Sequence, residues 1–404
     1  MISLKEWKGY IANYYSKEDL IKLTQELVRI PSHVNHPGRE REVGLFLAQY
    51  CRENGFSVEV KPIVDGRVNV IVTLKGTGGG KSLLLNGHLD TVPPGEMDFD
   101  PYKADIVDGY IQGRGTVDMK GPIASMIIMM KAIKDSPLKI KGDIIFTGVI
   151  GEEEQSEGTE DIVKSGIKAD GGVVGEPSSY EYSAGHRGLE WLEIRIKGRA
   201  AHGGVPHLGV NAIEKAAVLI KEIKDTIYPK LEKRRNPLMG PSVMNFGHIK
   251  GGIQPSTVAD SCIIQIDRRY ITGETVESVI SEYQEVIDII KQKDPEFEAE
   301  IVRMPNNMLT LDHLPLETKL DEPIAKAVKN ALSTLLGKEA TLSTKRGWTD
   351  ASLLSNFANI PTIVYGPGDI SYSHTKNEKI SVKELEEAVE VYFLTALEFC
   401  GIEE

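Results

Sequence analysis

Four short, almost wholly apolar runs set the tightest limit on how this chain can fold. They are VNVIVTL (Val68 to Leu74), SLLLN (Ser82 to Asn86), DIIFTGVI (Asp143 to Ile150) and GVVG (Gly172 to Gly175). A strand that is apolar on both faces needs cover on both faces, so these runs predict a sheet held between helices. Helical patterns lie beside them. One runs from about Lys17 to Arg29 and stops at Pro31, and another from about Glu40 to Asn54 stops at Gly55. The stretch from Pro122 to Lys134 has helical length and is apolar on most sides, as a helix buried between strands should be. The expected class is α/β, with a mixed, largely parallel sheet flanked by helices.

The middle of the chain follows a different rule. LEIRIKG (Leu192 to Gly198) alternates apolar and charged residues, the pattern of a half-exposed strand. A helix from about Asn211 to Thr226 follows, then strand patterns near Ser242 to Ile249 and Asp260 to Asp267. A second helix from about Thr275 to Lys291 and a strand in EAEIVRM (Glu298 to Met304) complete the order βαββαβ. That order predicts a ferredoxin-like α+β domain. The α/β character then returns with a helix near Pro323 to Leu336, the run PTIVYG (Pro361 to Gly366) and a helix from Val382 to about Phe399. At 404 residues the chain exceeds a single core. We therefore expect a larger, discontinuous domain of residues 1–188 and 305–404, with a smaller domain of residues 189–304 inserted into it.

Charge narrows the range of partners. The net charge is −12, and the one basic cluster, KLEKRR (Lys230 to Arg235), is short and sits at a helical pattern. A nucleic-acid ligand is not expected. Cys51, Cys262 and Cys400 are far apart and form no CxxC pair, which suits a reducing compartment. The N-terminus MISLKEWKGY lacks a signal-peptide core, and the apolar stretch ASMIIMM (Ala124 to Met130) is far short of the ~20 residues that span a bilayer. A cytoplasmic location with no membrane partner is expected.

In an open α/β sheet, ligands gather beyond the carboxyl ends of the strands. Here those ends carry metal-ligand residue types. SLLLN leads into Gly87-His88-Leu89-Asp90, DIIFTGVI into Gly151-Glu152-Glu153-Glu154, and VV into Gly175-Glu176-Pro177. TIVYG leads through a Gly-Pro-Gly turn towards His374, and Asp118 in GRGTVDMKG stands just before the apolar helix. Each has an ordinary alternative. His88 alone could be a structural histidine, Asp118 a helix N-cap, Glu152 to Glu154 a solvated acidic loop, Glu176 a turn residue and His374 an exposed one. Their joint placement favours a pair of borderline metals such as Zn²⁺. The segment KGTGGGKS (Lys75 to Ser82) imitates a phosphate-binding loop, but its first glycine position holds Lys75 and it leads into a strand pattern.

The blocks GHLDTVPPG (Gly87 to Gly95), GRGTVDMKG (Gly113 to Gly121), GEEEQSEGT (Gly151 to Thr159), GEPSS (Gly175 to Ser179) and SHTKNE (Ser373 to Glu378) occur in one order. Together they resemble the acetylornithine deacetylase and succinyl-diaminopimelate desuccinylase family of dinuclear zinc hydrolases, which includes aminoacylases, glutamate carboxypeptidases and dipeptidases. The resemblance runs from RIPS (Arg29 to Ser32) onward. It implies that His88 and Glu176 hold one metal, Glu153 and His374 the other, and that Asp118 bridges them. Asp90 would orient His88, and Glu152 would be the general base. Gly151 departs from the family, where an aspartate often stands. Glu154 leaves a second register open, with Glu153 as base and Glu154 as ligand; the spacing back from Gly158 favours Glu153 as ligand.

The resemblance further implies attack by a metal-bridged hydroxide, with His202 in AAHGGVPHLGVNAI as an oxyanion donor that arrives from the partner in related dimers. Arg269 in DRRYITGE would bind a substrate carboxylate, a task suited to a guanidinium fork. Asn245 and Arg187 are further substrate-binding candidates, and Asp350 in GWTDAS is either catalytic or structural. The expected enzyme is a metal-dependent amidohydrolase acting on small N-acyl amino acids. It would use two divalent ions per chain, zinc with cobalt or manganese as alternatives, and form a homodimer, with residues 1–188 and 305–404 as the catalytic domain and 189–304 as the inserted dimerisation or lid domain. A metallo-exopeptidase is the alternative, and a catalytically inactive binding relative a lesser one.

Overall fold

The computed structural model of the chain describes residues 3–308, 310–345 and 347–403. They form two compact units. One comprises Met1–Gly185, Glu317–Lys345 and Thr349–Glu404, and the other His186–Leu316 and Arg346–Trp348.

After two short helical turns, Leu4–Trp7 and Ile11–Asn13, the first unit forms helix α1 (Lys17–Arg29), where the Ser16 side chain accepts the Asp19 N–H at 2.9 Å and caps the first turn. Leu20, Leu23, Leu27 and Val28 fall on its buried stripe. Helix α2 (Arg41–Glu53) follows, then strands β1 (Ser57–Pro62), β2 (Val68–Leu74) and β3 (Leu83–His88). Every residue of β3 is buried. The glycine-rich Gly76–Gly80 stretch is the turn between β2 and β3, as the strand pattern after it requires. Helix α3 (Gly121–Asp135) starts with Pro122 in its first turn and is buried nearly all round. Strand β4 (Ile144–Val149), helix α4 (Glu157–Lys164) and strand β5 (Gly171–Val174) complete this arm.

The main elements of the second unit are, in order, β6 (Gly188–Lys197), α5 (Ala212–Thr226), β7 (Val243–Gly251), β8 (Ser261–Tyr270), α6 (Val276–Lys293) and β9 (Glu298–Arg303), with a short helix (Tyr228–Lys233) and a two-stranded ribbon (Arg235–Asn236 with Gly240–Pro241) between α5 and β7. Its antiparallel sheet runs β7-β8-β6-β9. Leu192, Ile194 and Ile196 of β6 pack with Leu219 and Ile223 of α5 and with Val279, Tyr283 and Ile287 of α6. The alternation read in LEIRIKG is thus one face on helices and the other outward.

The chain re-enters the first unit with helices α7 (Pro323–Leu336) and α8 (Ala351–Phe357), strand β10 (Thr362–Val364) and helix α9 (Val382–Cys400). The six-stranded sheet runs β1-β2-β4-β3-β5-β10. β1, β2 and β4 pair antiparallel, while β4, β3, β5 and β10 pair parallel. Register decides what this sheet presents. His88 is level with Val149, Asn86 with Val174, and Val174 with Val364. The segments that follow β3, β4, β5 and β10 therefore leave from one edge. No helix among the described residues is long and apolar enough to cross a membrane.

Candidate metal centre

The edge formed by these four parallel strands gathers His88, Asp118, Glu152, Glu153, Glu176 and His374. Asp118 stands between two pairs. Its Oδ1 is 3.0 Å from His88 Nε2, and its Oδ2 is 3.2 Å from His374 Nε2. Beyond His88 lies Glu176, with Oε1 3.4 Å from the same Nε2. Beyond His374 lies Glu153, with Oε1 2.9 Å from that imidazole. One histidine–carboxylate pair thus faces each oxygen of Asp118. Ligand atoms of His88, Asp118 and Glu153 lie within 4.8 Å of one another, as do those of His88, Glu152 and Glu176.

This donor set fits cations. Among the described residues, none donates a hydrogen bond to Glu176 Oε1, which is buried. A buried anionic oxygen without a donor is costly unless a cation serves it. Imidazole nitrogens with carboxylate oxygens are the ligands of zinc-class ions.

Local structure explains how the groups are held. Glu378 Oε1 accepts the N–H groups of Val117 and Asp118 at 3.0 and 3.2 Å, and its other oxygen pairs with Arg114. The Ser373 hydroxyl donates to Asp118 Oδ2. Asp90 faces His88 Nδ1 with its backbone oxygen at 3.0 Å and its Oδ1 at 3.4 Å. Its carboxylate also accepts the N–H groups of Glu152 at 3.2 Å and Glu153 at 2.9 Å. Gly151 turns the chain into this loop with φ +77°, where a side chain would meet Glu157 Oε2. Glu154 points elsewhere, into an ion pair with Arg39. It is Glu153 that reaches His374. Arg67 is gripped by Glu40 through two bonds of 2.7 Å and reaches Glu157 at 2.9 Å, closing the far side of the loop.

Electrostatics separates the carboxylates. Burial, reinforced by the Glu176 charge, pushes Glu152 well above the usual carboxylate range. Burial also raises Glu153 to about 7, although the bond from His374 opposes it. For Asp118 burial acts the same way, but the bonds to His374 and His88 outweigh it and hold the carboxyl well below its ordinary value. Asp350, buried at the start of α8, is raised to about 7 by desolvation and accepts the Thr159 hydroxyl at 2.6 Å.

Three residues of this site were not singled out in the sequence. Ser373 and Glu378 lie inside the SHTKNE block, so their signal was present. Lys345 gave none. Its Nζ is 3.2 Å from Glu176 Oε2, across 169 positions of sequence.

The remaining sequence candidates belong to the second unit. His202 is exposed in the turn after β6, and its Nδ1 accepts the Gly204 N–H at 3.1 Å. Arg269 on β8 binds the Asp267 carboxylate through Nε at 2.7 Å and Nη2 at 2.9 Å. Asn245 on β7 pairs directly with Asp267, so Asn245, Asp267 and Arg269 share one sheet face. Arg187 donates from Nε to the Met239 carbonyl at 3.1 Å.

A parallel-strand edge carrying this set of histidines and carboxylates defines a hydrolase of the metallopeptidase and amidohydrolase class. Residues 84–398 match peptidase family M20/M25/M40, and the chain belongs to that family. It is 27% identical to an N-formyl-4-amino-5-aminomethyl-2-methylpyrimidine deformylase of Halalkalibacterium halodurans, over 96% of each chain. It is 32% identical to an acetylornithine deacetylase of Proteus mirabilis, over 88% of this chain and 89% of that one. Its fold is shared with aminopeptidase PepT of Bacillus cereus, with a TM-score of 0.77, 24% identity and 95% and 99% of the two chains covered.

Proposed function

We propose that this enzyme hydrolyses the amide bond of small N-acyl amino acids. His88 and Glu176 would hold one divalent ion, Glu153 and His374 a second, and Asp118 would be shared between them. Zinc is favoured, with cobalt or manganese as alternatives. The observation that carries this reading is the placement of Asp118, each of whose oxygens faces a separate histidine–carboxylate pair. Bound ions would polarise the scissile carbonyl and acidify water.

The chain's own groups do the rest. Glu152 is half-buried and bears a strong affinity for a proton, as a group that takes one from water and returns it to the leaving amine nitrogen requires. Asp90 holds the backbone of Glu152 and Glu153. Asp350 is assigned a supporting role behind this loop, through Thr159. Arg269 and Asn245, sharing a face, would receive the substrate carboxylate, and Arg187 is a further contact. In that event the substrate displaces Asp267 from the guanidinium.

The second unit is read as a ferredoxin-like dimerisation domain, because its strand order places β7 and β9 at the sheet edges, where pairing with another chain is available. His202, exposed in this unit, would serve the active site of the other protomer as an oxyanion donor. The alternative reading, a metallo-exopeptidase, is supported by the match to a peptidase family. A hydrolysis panel on purified, metal-loaded enzyme separates the two. N-acetyl, N-succinyl and N-formyl amino acids should be cleaved in preference to di- and tripeptides. Cleavage of peptides alone would move the assignment to the exopeptidase, and cleavage of none would refute both.

A further inference from the structure

Lys345 is an unusual neighbour for a metal ligand. Its side chain is 8% exposed and that of Glu176 is 7% exposed, so the ion pair is buried. Nζ donates to Glu176 Oε2 at 3.2 Å and to the Pro177 carbonyl at 3.3 Å. Backbone pairing places it there. Thr341 and Leu342 run parallel to Glu181 and Tyr182, Ser343 N–H donates to the Tyr182 carbonyl at 2.9 Å, and Lys345 N–H donates to Ser183 Oγ at 3.2 Å. The segment is zipped along the stretch that follows Glu176, and the ammonium is delivered to one oxygen of that carboxylate. The other oxygen, Oε1, faces His88 and accepts no hydrogen bond from the described residues.

The two halves of the centre therefore differ. Among the described residues Glu153 is paired only with His374, whereas Glu176 carries a fixed cation on the side away from His88. A buried ammonium beside a ligand carboxylate acts twice on metal affinity, both times in one direction. It stabilises the metal-free form by a charge-assisted hydrogen bond, and it repels an incoming cation. It also occupies Oε2, leaving a single oxygen for coordination.

We infer that Lys345 is a positioning residue that holds Glu176 to one-oxygen coordination and weakens the His88/Glu176 metal position, so that the ion there is the exchangeable one of the two. This rests on the dinuclear reading given above. One consequence is an enzyme whose activity follows the free concentration of its metal.

Calorimetric titration of the metal-free full chain with Co²⁺, followed in parallel by visible absorption, tests this. The unmodified chain should bind two ions in two steps of unequal affinity. Lys345→Met should tighten the weaker step about tenfold or more, the scale of a lost charge-assisted hydrogen bond, and leave the tighter step unmoved. Its Co²⁺ spectrum should change for the weaker site alone. Lys345→Arg, which keeps the charge, should retain the weak step. A general structural role for Lys345 would not produce tightening. Should Lys345→Met not fold, Lys345→Gln removes the charge while keeping a donor and should tighten the same step. An unchanged or weakened second step, or equal movement of both steps, would overturn the inference while leaving the metal centre intact. Failure of the unmodified chain to bind any ion would overturn the metal centre, and this inference with it.

Discussion

Asp90 accepts the backbone N–H of Glu153 at 2.9 Å, which ties the end of β3 to the acidic loop after β4. The bond makes Asp90 more than an orienting partner for His88, because the same carboxylate sets where two neighbouring glutamates begin. Asp90→Asn keeps the volume but replaces one accepting oxygen with a donor that faces an N–H. It should lower metal affinity about 10- to 100-fold, the usual effect of losing an outer-shell partner. Metal content after dialysis against a competing chelator reads this directly, and wild-type retention would show that the loop is held by other contacts.

Glu152 and Glu153 are adjacent in sequence and should fail differently. Glu152→Gln should keep both ions and lose about 10²- to 10⁴-fold in turnover, since only proton transfer is removed. Glu153→Gln should weaken one ion. Stoichiometry and kcat measured on both variants decide this, and the reverse pattern would shift the register by one residue.

Much of this was legible because the physics was local. The pattern from Lys17 to Arg29 is bounded by the Ser16 cap and Pro31, and the helix occupies that span. The apolar runs became β2, β3, β4 and β5 because a strand covered on both faces has no polar side to obscure it. β1 escaped notice for the opposite reason. It is an edge strand, partly exposed along its length, and ends in Pro62. Helix α8 is too short to show a period. The site residues followed the strand ends, a rule that works only for groups carried by the sheet. Lys345 arrives from a loop and is placed by pairing with a segment far away in sequence, so the stretch STKRGW offers nothing to distinguish it from a surface lysine.

The proposed dimer makes a complementation experiment possible. Glu152→Gln and His202→Ala chains should each be nearly inactive alone. If His202 acts across the interface, a mixed dimer contains one site with both lesions and one intact site, so activity should return on mixing under exchange conditions. No recovery in a mixture shown to contain heterodimers would place His202 in its own chain's site. Full activity in a monomer at assay concentration would remove the cross-chain role.

His313 should make the second unit sensitive to acid. Burial, with the charges of Arg269 and Arg303 adding to it, lowers its pKa to about 3. The folded chain therefore keeps the imidazole neutral while the unfolded chain protonates it near 6.5. Stability from this group is complete above pH 6.5 and falls as the pH drops towards 3, with a slope of about 1.4 kcal/mol per pH unit. His313→Gln should flatten that part of the curve. Denaturant unfolding at pH 7, 5.5 and 4.5 measures it, and an identical slope in both proteins would mean that His313 is not the group responsible.

The most direct test of the account is the metal stoichiometry of an active preparation, measured by elemental analysis beside amide hydrolysis in wild type and Asp118→Ala. The wild type should carry two divalent ions per chain, and loss of Asp118 should lower that number and abolish turnover, because each of its oxygens faces one half of the centre. Full activity from a preparation without bound metal, or an Asp118→Ala enzyme that keeps both its ions and its rate, would contradict it.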